Sequence, residues 1–319
     1  MAHYDVFNGD ADGLCALQQL RLANPKSSQR VTGPKRDIAL LERVNAKAGD
    51  SVTVLDISMA QNYAALQRLL AVGANVAYFD HHHAGDVPAH PNLRLFLDLS
   101  PTVCTSLLVD RFLCGASARW AIVGAFGDGL FAEAMCYCDA LNLTRAEQCA
   151  LQELGECLNY NSYGDTEDDL CFAPSALHGL MRSFPDPLSF ISENQETVET
   201  LKTAYSHDIA RAKSLQPVTG KHGLVFTLPD AAWSRRVSGM LASYASQKNP
   251  DQAIVVIRAK GSHSYVVSVR ASRSAKRGAD QLCREFPTGG GRFAAAGIND
   301  LPEVRLGEFL SRFDSWFSS

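Results

Sequence analysis

Carboxylate and imidazole side chains follow the ends of several short apolar runs in this 319-residue sequence. In chain order they are Asn8, Asp10 and Asp12 in "NGDADG" after "HYDVF", Asp56 after "SVTVL", Asp80 with His81, His82 and His83 after "NVAYF", and Asp128 after "RWAIVGAFG". Buried carboxylates that converge repel one another unless they are protonated or coordinate cations. The set therefore predicts a metal site, and oxygen ligands with one or two imidazoles suit Mn²⁺, Mg²⁺ or Fe²⁺ better than zinc.

Each of these features has a simpler explanation when it is taken alone. "DADG" is typical of a turn or a helix N-cap, Asp56 of the first position of a loop, and three adjacent histidines of a polar surface. The conjunction of four apolar runs, each followed by an aspartate, is what favours the metal site.

The pattern around these residues predicts the elements that must position them. Short apolar runs alternate with amphipathic stretches, which is typical of a parallel α/β sheet, and ligands bind at the carboxyl ends of such strands. We read all four runs as strands, including "RWAIVGAFGDG", so that Asp128 is expected at the same sheet edge. Residues 142–217 read as a helical extension that ends in a linker, "LQPVTGKHG". Beyond it, "AIVVIRAKGSHSYVVSVRAS" predicts a β-hairpin and "TGGGRFAAAGIN" a glycine-rich loop.

Composition and charge exclude some classes of protein. Apolar residues make up 46% and charged residues 20% of the chain, as in globular proteins, and no apolar run approaches the roughly 20 residues that span a bilayer. Nine scattered cysteines without a C-x-x-C pair and an N-terminus unlike a secretory signal predict a cytoplasmic protein. Residues 1–217 carry 16 Lys and Arg against 26 Asp and Glu, whereas residues 218–319 carry 14 against 8. An acidic metal-binding module beside a basic anion-binding module would show this asymmetry.

The motifs together resemble those of the DHH phosphoesterase superfamily. "DADG", Asp56, "DHH" and Asp128 match its four motifs, and "GGGRFAAAG" resembles the signature of the DHH-associated domain of the first type. The resemblance implies a catalytic DHH domain over residues 1–200, which includes part of the 142–217 extension, joined by a helical linker to a smaller α/β substrate-binding domain over 218–319.

The resemblance also implies roles for individual residues. Two divalent ions are expected, most often Mn²⁺, with Mg²⁺, Fe²⁺ or Co²⁺ as alternatives. Asp10 would bind one ion and Asp12 the other, Asp56 would bridge them, and His81 with Asp128 would complete the ligand set of the second ion. His82 would contact the scissile phosphate, and His83 has no assigned role. Many members have a further histidine where this chain has Val6, and Asn8 is either a substitute ligand, as in RecJ-type exonucleases, or a plain turn residue.

The basic second half is expected to choose the substrate. The substrate-binding candidates are Arg270, Ser272, Gly289, Gly290, Gly291 and Arg292, since glycine backbone N–H groups and a guanidinium fork suit phosphate. The resemblance points to hydrolysis of dinucleotides or very short oligonucleotides, such as pGpG or pApA, to nucleoside monophosphates, with neither long nucleic acid nor membrane as partner. The alternatives are a bisphosphonucleoside phosphatase or pyrophosphatase-like hydrolase and, in another class, a non-catalytic nucleotide sensor. A monomer and a homodimer both remain open.

Overall fold

A computed structural model describes residues 1–220 and 223–317. The chain divides into two compact units, Met1–Tyr205 and Ser206–Ser319. Nowhere in the described ranges is there a helix with the length and apolarity required to cross a membrane.

The first unit is built on a five-stranded sheet in which every pair of neighbours is parallel, in the order β2-β1-β3-β4-β5. This confirms the α/β prediction. The strands are β1 His3–Phe7, β2 Gln29–Val31, β3 Ser51–Leu55, β4 Asn75–Asp80 and β5 Leu93–Leu97. The helices are α1 Ala11–Ala23, α2 Tyr63–Ala71, α3 Thr105–Phe112, α4 Ala118–Gly127, α5 Phe131–Ala140, α6 Arg145–Asn161, α7 Pro174–Met181, α8 Pro187–Glu193 and α9 Gln195–Lys213, the last of which runs into the second unit.

The second unit contains a six-stranded, mostly antiparallel sheet in the order β10-β11-β9-β8-β7-β6, in which only β7 and β8 pair in parallel among the described residues. Its strands are β6 Val218–Thr219, β7 Gly223–Leu228, β8 Ala253–Lys260, β9 Ser264–Arg270, β10 Gly289–Gly291 and β11 Ala295–Pro302, and its helices are α10 Ala232–Lys248, α11 Ala279–Cys283 and α12 Leu306–Trp316. The predicted hairpin is confirmed as β8 and β9. The predicted linker is in part the strand β6, and Lys221 and His222 of that segment lie outside the described residues.

Helix α1 is the central helix of the first unit. Asp10 is its N-cap, with a side-chain oxygen that accepts the backbone N–H of Gly13 at 3.1 Å. Every residue from Ala11 to Arg21 is buried, because α3, α4 and α6 pack around the helix and form one core with it. This packing fixes the helix whose N-terminus carries the first acidic motif.

The segment "RWAIVGAFG" is a helix, α4, and the prediction of a strand there is wrong. A fully apolar run has no polar alternation that would separate a buried strand from a buried helix. Packing decides between them. A Cβ at Gly127 would overlap Ala11, and one at Gly124 would overlap Ser106, so the two glycines let α4 lie against α1 and α3.

Candidate metal centre

The ends of β1, β3 and β4 meet at one edge of the first sheet. Asn8 donates its backbone N–H to Leu55 at 3.2 Å, and Asp56 donates its own to Phe79 at 3.0 Å, so each loop is tied to the neighbouring strand. Asp56 has a φ of 59°, in the left-handed region that aspartate tolerates better than most residues. Burial, followed by the negative charge of Asp10 and Asp12, holds the pKa of Asp56 well above its usual range.

Asp12 is anchored to the N-terminus of α3. Its two carboxylate oxygens accept the backbone N–H groups of Thr105 and Ser106, each at 2.7 Å. These N–H groups have no partner within the helix, and the positive end of the helix dipole favours a carboxylate there. Asp12 therefore positions α3 as well as contributing charge to the site.

His81 lies at the centre of the carboxylates. Its Nδ1 is 2.9 Å from the carbonyl oxygen of Val103, and because a carbonyl only accepts, Nδ1 is the donor. The other nitrogen, Nε2, lies 3.4 Å from Asp56, 3.9 Å from Asp128 and 4.0 Å from Asp12. In the neutral ring this arrangement directs a nitrogen lone pair towards three carboxylates, which is the geometry of a metal-binding imidazole held by an outer hydrogen bond.

Asp128 arrives at this cluster from a helix and not from a strand. It is the C-cap residue of α4, with its backbone N–H bonded to Gly124 at 2.9 Å. Burial and the neighbouring charges of Asp12 and Asp10 raise the pKa of Asp128 to about 7. The C-terminal end of the helix dipole also disfavours an anion at this position.

His82 points its Nδ1 at a different carboxylate. Nδ1 donates to Asp80 at 2.7 Å, and this hydrogen bond raises the pKa of His82 against the opposing effect of burial. Asp80 is fully buried and also accepts the backbone N–H of His81 at 2.9 Å. The side chain of His82 is 45% exposed, so its Nε2 is the nitrogen left for a ligand from solvent. His83 is exposed and its Nδ1 accepts the backbone N–H of Gly85, a local turn contact.

Lys35 belongs to the cluster although sequence reasoning missed it. Its Nζ lies 2.6 Å from Asp10 and 4.0 Å from Asp128. Burial alone would raise the pKa of Asp10, but the ammonium group, together with hydrogen bonds from Gly13 and Asp56, lowers it. The strand before Lys35, β2, has three residues and no apolar pattern. The lysine of "TGPK" was therefore the one sequence signal that a cation could lie in this loop.

The residues present suit a divalent cation. Ligand atoms of Asp12, His81 and Asp128 lie within 4.8 Å of one another, as do those of Asp56, His81 and His82. Three carboxylates lie within 4.0 Å of one imidazole nitrogen, and two of these carboxylates, Asp56 and Asp128, have raised pKa values. This donor set matches the oxygen-rich chemistry of Mn²⁺ and Mg²⁺ sites.

The predicted substrate residues lie in the second unit. Gly289–Gly291 form the edge strand β10 instead of the predicted loop, and a Cβ at Gly289 would overlap the carbonyl of Cys283. The turn after it begins at Arg292, whose side chain is exposed, and Ser272 is half-buried. Arg270 donates to Gly239 and Ser243 of α10, at 3.4 and 3.3 Å.

Comparisons with known proteins agree with this fold. A family model described as the DHHA1 domain matches residues 220–319. The structure of exonuclease RecJ bound to manganese superposes with a TM-score of 0.65 at 17% identity, over 99% of this chain and 90% of that one. RecJ from Thermus thermophilus in complex with Mn²⁺ superposes with a TM-score of 0.59 at 18% identity, over 99% of this chain and 52% of that one. A pGpG-specific phosphodiesterase, PggH from Vibrio cholerae, superposes with a TM-score of 0.57 at 15% identity, over 99% of this chain and 98% of that one. No match was found among curated proteins.

These findings establish the fold of the chain and the family of its C-terminal part. The solved structures share its fold, and residues 220–319 form a DHHA1 domain.

Proposed function

We propose that the protein is a metal-dependent phosphodiesterase that hydrolyses dinucleotides or very short oligonucleotides, such as pGpG or pApA, to nucleoside monophosphates. The observation that carries the proposal is the position of His81 Nε2, between 3.4 and 4.0 Å from three carboxylates that come from different elements. A divalent ion bound there would act as a Lewis acid on the phosphate and lower the pKa of a bound water.

The residues of the chain have separate tasks in this proposal. His81, Asp56, Asp128 and Asp12 hold the metal, and Asn8 and Asp10 are the remaining candidate ligands. His82 donates from Nε2 to a non-bridging phosphate oxygen, because its Nδ1 is already bound to Asp80. Asp80 keeps the ring in this tautomer and orientation and favours its charged form. An imidazolium at that place would stabilise the charge that develops on the phosphate.

The class of substrate rests on the second unit and on one relative. Residues 218–319 carry 14 Lys and Arg against 8 Asp and Glu, which suits a polyanionic ligand. Arg292, the glycines of β10, Ser272 and Arg270 are the candidate phosphate contacts. PggH from Vibrio cholerae is a pGpG-specific phosphodiesterase, and this protein shares its fold over 99% of the chain. A dinucleotide is the smallest substrate that contains the scissile bond and a terminal phosphate.

The test is a panel of substrates incubated with Mn²⁺: pGpG, pApA, longer RNA, a 3′,5′-bisphosphonucleoside, a cyclic dinucleotide and pyrophosphate. Release of nucleoside monophosphates from the dinucleotides, faster than from any other substrate, is the expected result. His82→Ala should abolish most of the turnover, and His83→Ala is the matched control because His83 is the adjacent, exposed imidazole. Preferred release of inorganic phosphate from the bisphosphonucleoside would make the protein a phosphatase. Tight nucleotide binding without turnover of any substrate would make it a sensor.

A further inference from the structure

Lys35 is held inside the acidic cluster by contacts at both ends of the residue. Its backbone N–H donates to Ser162 at 2.9 Å, just beyond α6. Its Nζ donates to Asn159 at 3.3 Å and lies 5.8 Å from the centre of the Tyr163 ring. The side chain is 29% exposed, much less than a surface lysine. These contacts fix the ammonium group at 2.6 Å from Asp10.

Asp10 lies beside Asp56, and its own carboxylate is paired with a lysine. Among the described residues, the two groups of candidate ligands contain Asp12, Asp56, His81, His82 and Asp128, but not Asp10. The nearest cation to Asp10 is the ammonium of Lys35. Val6, buried in β1 two residues before Asn8, offers no donor atom to an ion on this side of the site.

An ion bound by Asp10 would compete with Lys35 for the same carboxylate oxygen. Small divalent ions such as Mg²⁺ bind carboxylate oxygens at about 2.0–2.1 Å. Oδ2 of Asp10 lies 2.6 Å from the ammonium, and Oδ1 accepts the backbone N–H of Gly13 at 3.1 Å, so both oxygens already have a partner. The ammonium also repels a second positive charge placed beside it, whereas it already compensates the charge of Asp10.

We propose that Lys35 replaces one of the two ions of the site, so that the chain binds a single divalent ion through His81 and its surrounding carboxylates while Lys35 Nζ serves as the second cation. This inference rests on the proposed metal-dependent function. An ammonium has three donors, and the contacts of Lys35 with Asp10 and Asn159 use two of them, which leaves one for a phosphate oxygen.

The number of bound ions tests this directly, without any measurement of turnover. Metal-free protein is dialysed against Mn²⁺, the bound metal is counted by elemental analysis, and calorimetric titration gives the number of sites. Electron paramagnetic resonance supplies a second readout, because two Mn²⁺ ions about 3.5–4 Å apart are magnetically coupled and a single ion is not. The variants are Lys35→Met, which keeps the length of the chain without its charge, and Lys35→Arg, which keeps the charge. Arg36→Met is the matched control, since it removes a cation of the same loop that pairs with Asp165 outside the cluster.

The wild type, Lys35→Arg and Arg36→Met are expected to bind one ion with an uncoupled spectrum, and Lys35→Met to bind two with a coupled one. Two tightly bound ions in the wild type would overturn the inference and leave the proposed function standing. One ion in both the wild type and Lys35→Met would also overturn it, because removal of the ammonium would then not allow a second ion to bind. No bound ion in the wild type would overturn the proposed function itself. The wild-type count needs no variant, so a failure of Lys35→Met to fold does not remove the test.

Discussion

Replacement of Asp128 by asparagine is expected to stabilise the metal-free protein at pH 8. The carboxyl group has a pKa of about 7 in the folded chain, raised first by burial and then by Asp12 and Asp10, against a reference value of 3.8. A raised pKa on an acid means that ionisation opposes folding. The penalty is absent below pH 3.8, grows as the pH rises towards 7 and is constant above it. Asparagine has a similar shape and never ionises, so it removes the penalty.

The magnitude follows from the same two values. A shift of about three pKa units corresponds to about 4 kcal/mol in the free energy of unfolding at pH 8, and to about 2 kcal/mol at pH 5, where the shift is only partly expressed. Mn²⁺ should narrow this difference in stability at pH 8. At a concentration about 100 times its dissociation constant, an ion stabilises the wild type by about 2.7 kcal/mol, and the variant, which lacks a ligand, gains less.

The assay is calorimetric unfolding in EDTA and in Mn²⁺, at pH 5 and at pH 8. The free energy of unfolding is taken from the transition whose temperature changes when metal is added. Asp12→Asn is the comparison, because it also removes one negative charge from the cluster. It replaces a carboxylate that accepts two backbone N–H groups at 2.7 Å, so one of these groups would face an amide N–H. The loss of this hydrogen bond should lower the free energy of unfolding by about 1–3 kcal/mol at both pH values. If Asp128→Asn lowered stability in EDTA equally at pH 5 and pH 8, the argument from charge repulsion would be refuted.

Three further outcomes are expected. His82→Ala should lower kcat about 10²- to 10³-fold, the usual cost of one donor to a developing charge, while Mn²⁺ titration gives an unchanged affinity; a large loss of affinity would make His82 a ligand. His178→Phe should protect the fold against acid, because burial, and next the charge of Arg30, lowers the pKa of this imidazole to about 3. The neutral ring stabilises the fold above pH 6.5, and about 5 kcal/mol is lost as the pH falls to 3, which acid-unfolding curves of the two proteins would measure. Arg292→Ala should raise the KM for pGpG about tenfold, as expected for one exposed phosphate contact, at constant Mn²⁺ affinity, and an unchanged KM would exclude Arg292 from the binding site.

Much of the fold and of the acidic cluster is readable from local sequence. The apolar runs before Asn8, Asp56 and Asp80 have the length and composition of buried strands. A parallel sheet brings the residues after each strand to one edge, whatever the details of packing. The adjacent residues His81 and His82 follow the same strand end, and the contact of His82 with Asp80 is local, whereas the carboxylates around His81 come from other elements.

Tertiary packing decided the rest. Asp128 reaches the cluster from the end of α4, and Gly124 and Gly127 allow this helix to lie against α3 and α1. Lys35 follows a three-residue strand without a pattern, and its place is set by contacts with Asn159 and Ser162, more than 120 residues away. Such contacts join segments that are distant in the chain, so neither periodicity nor motif spacing contains them. The sequence determined which charges gather at the sheet edge, and the folded structure determined which cation is already among them.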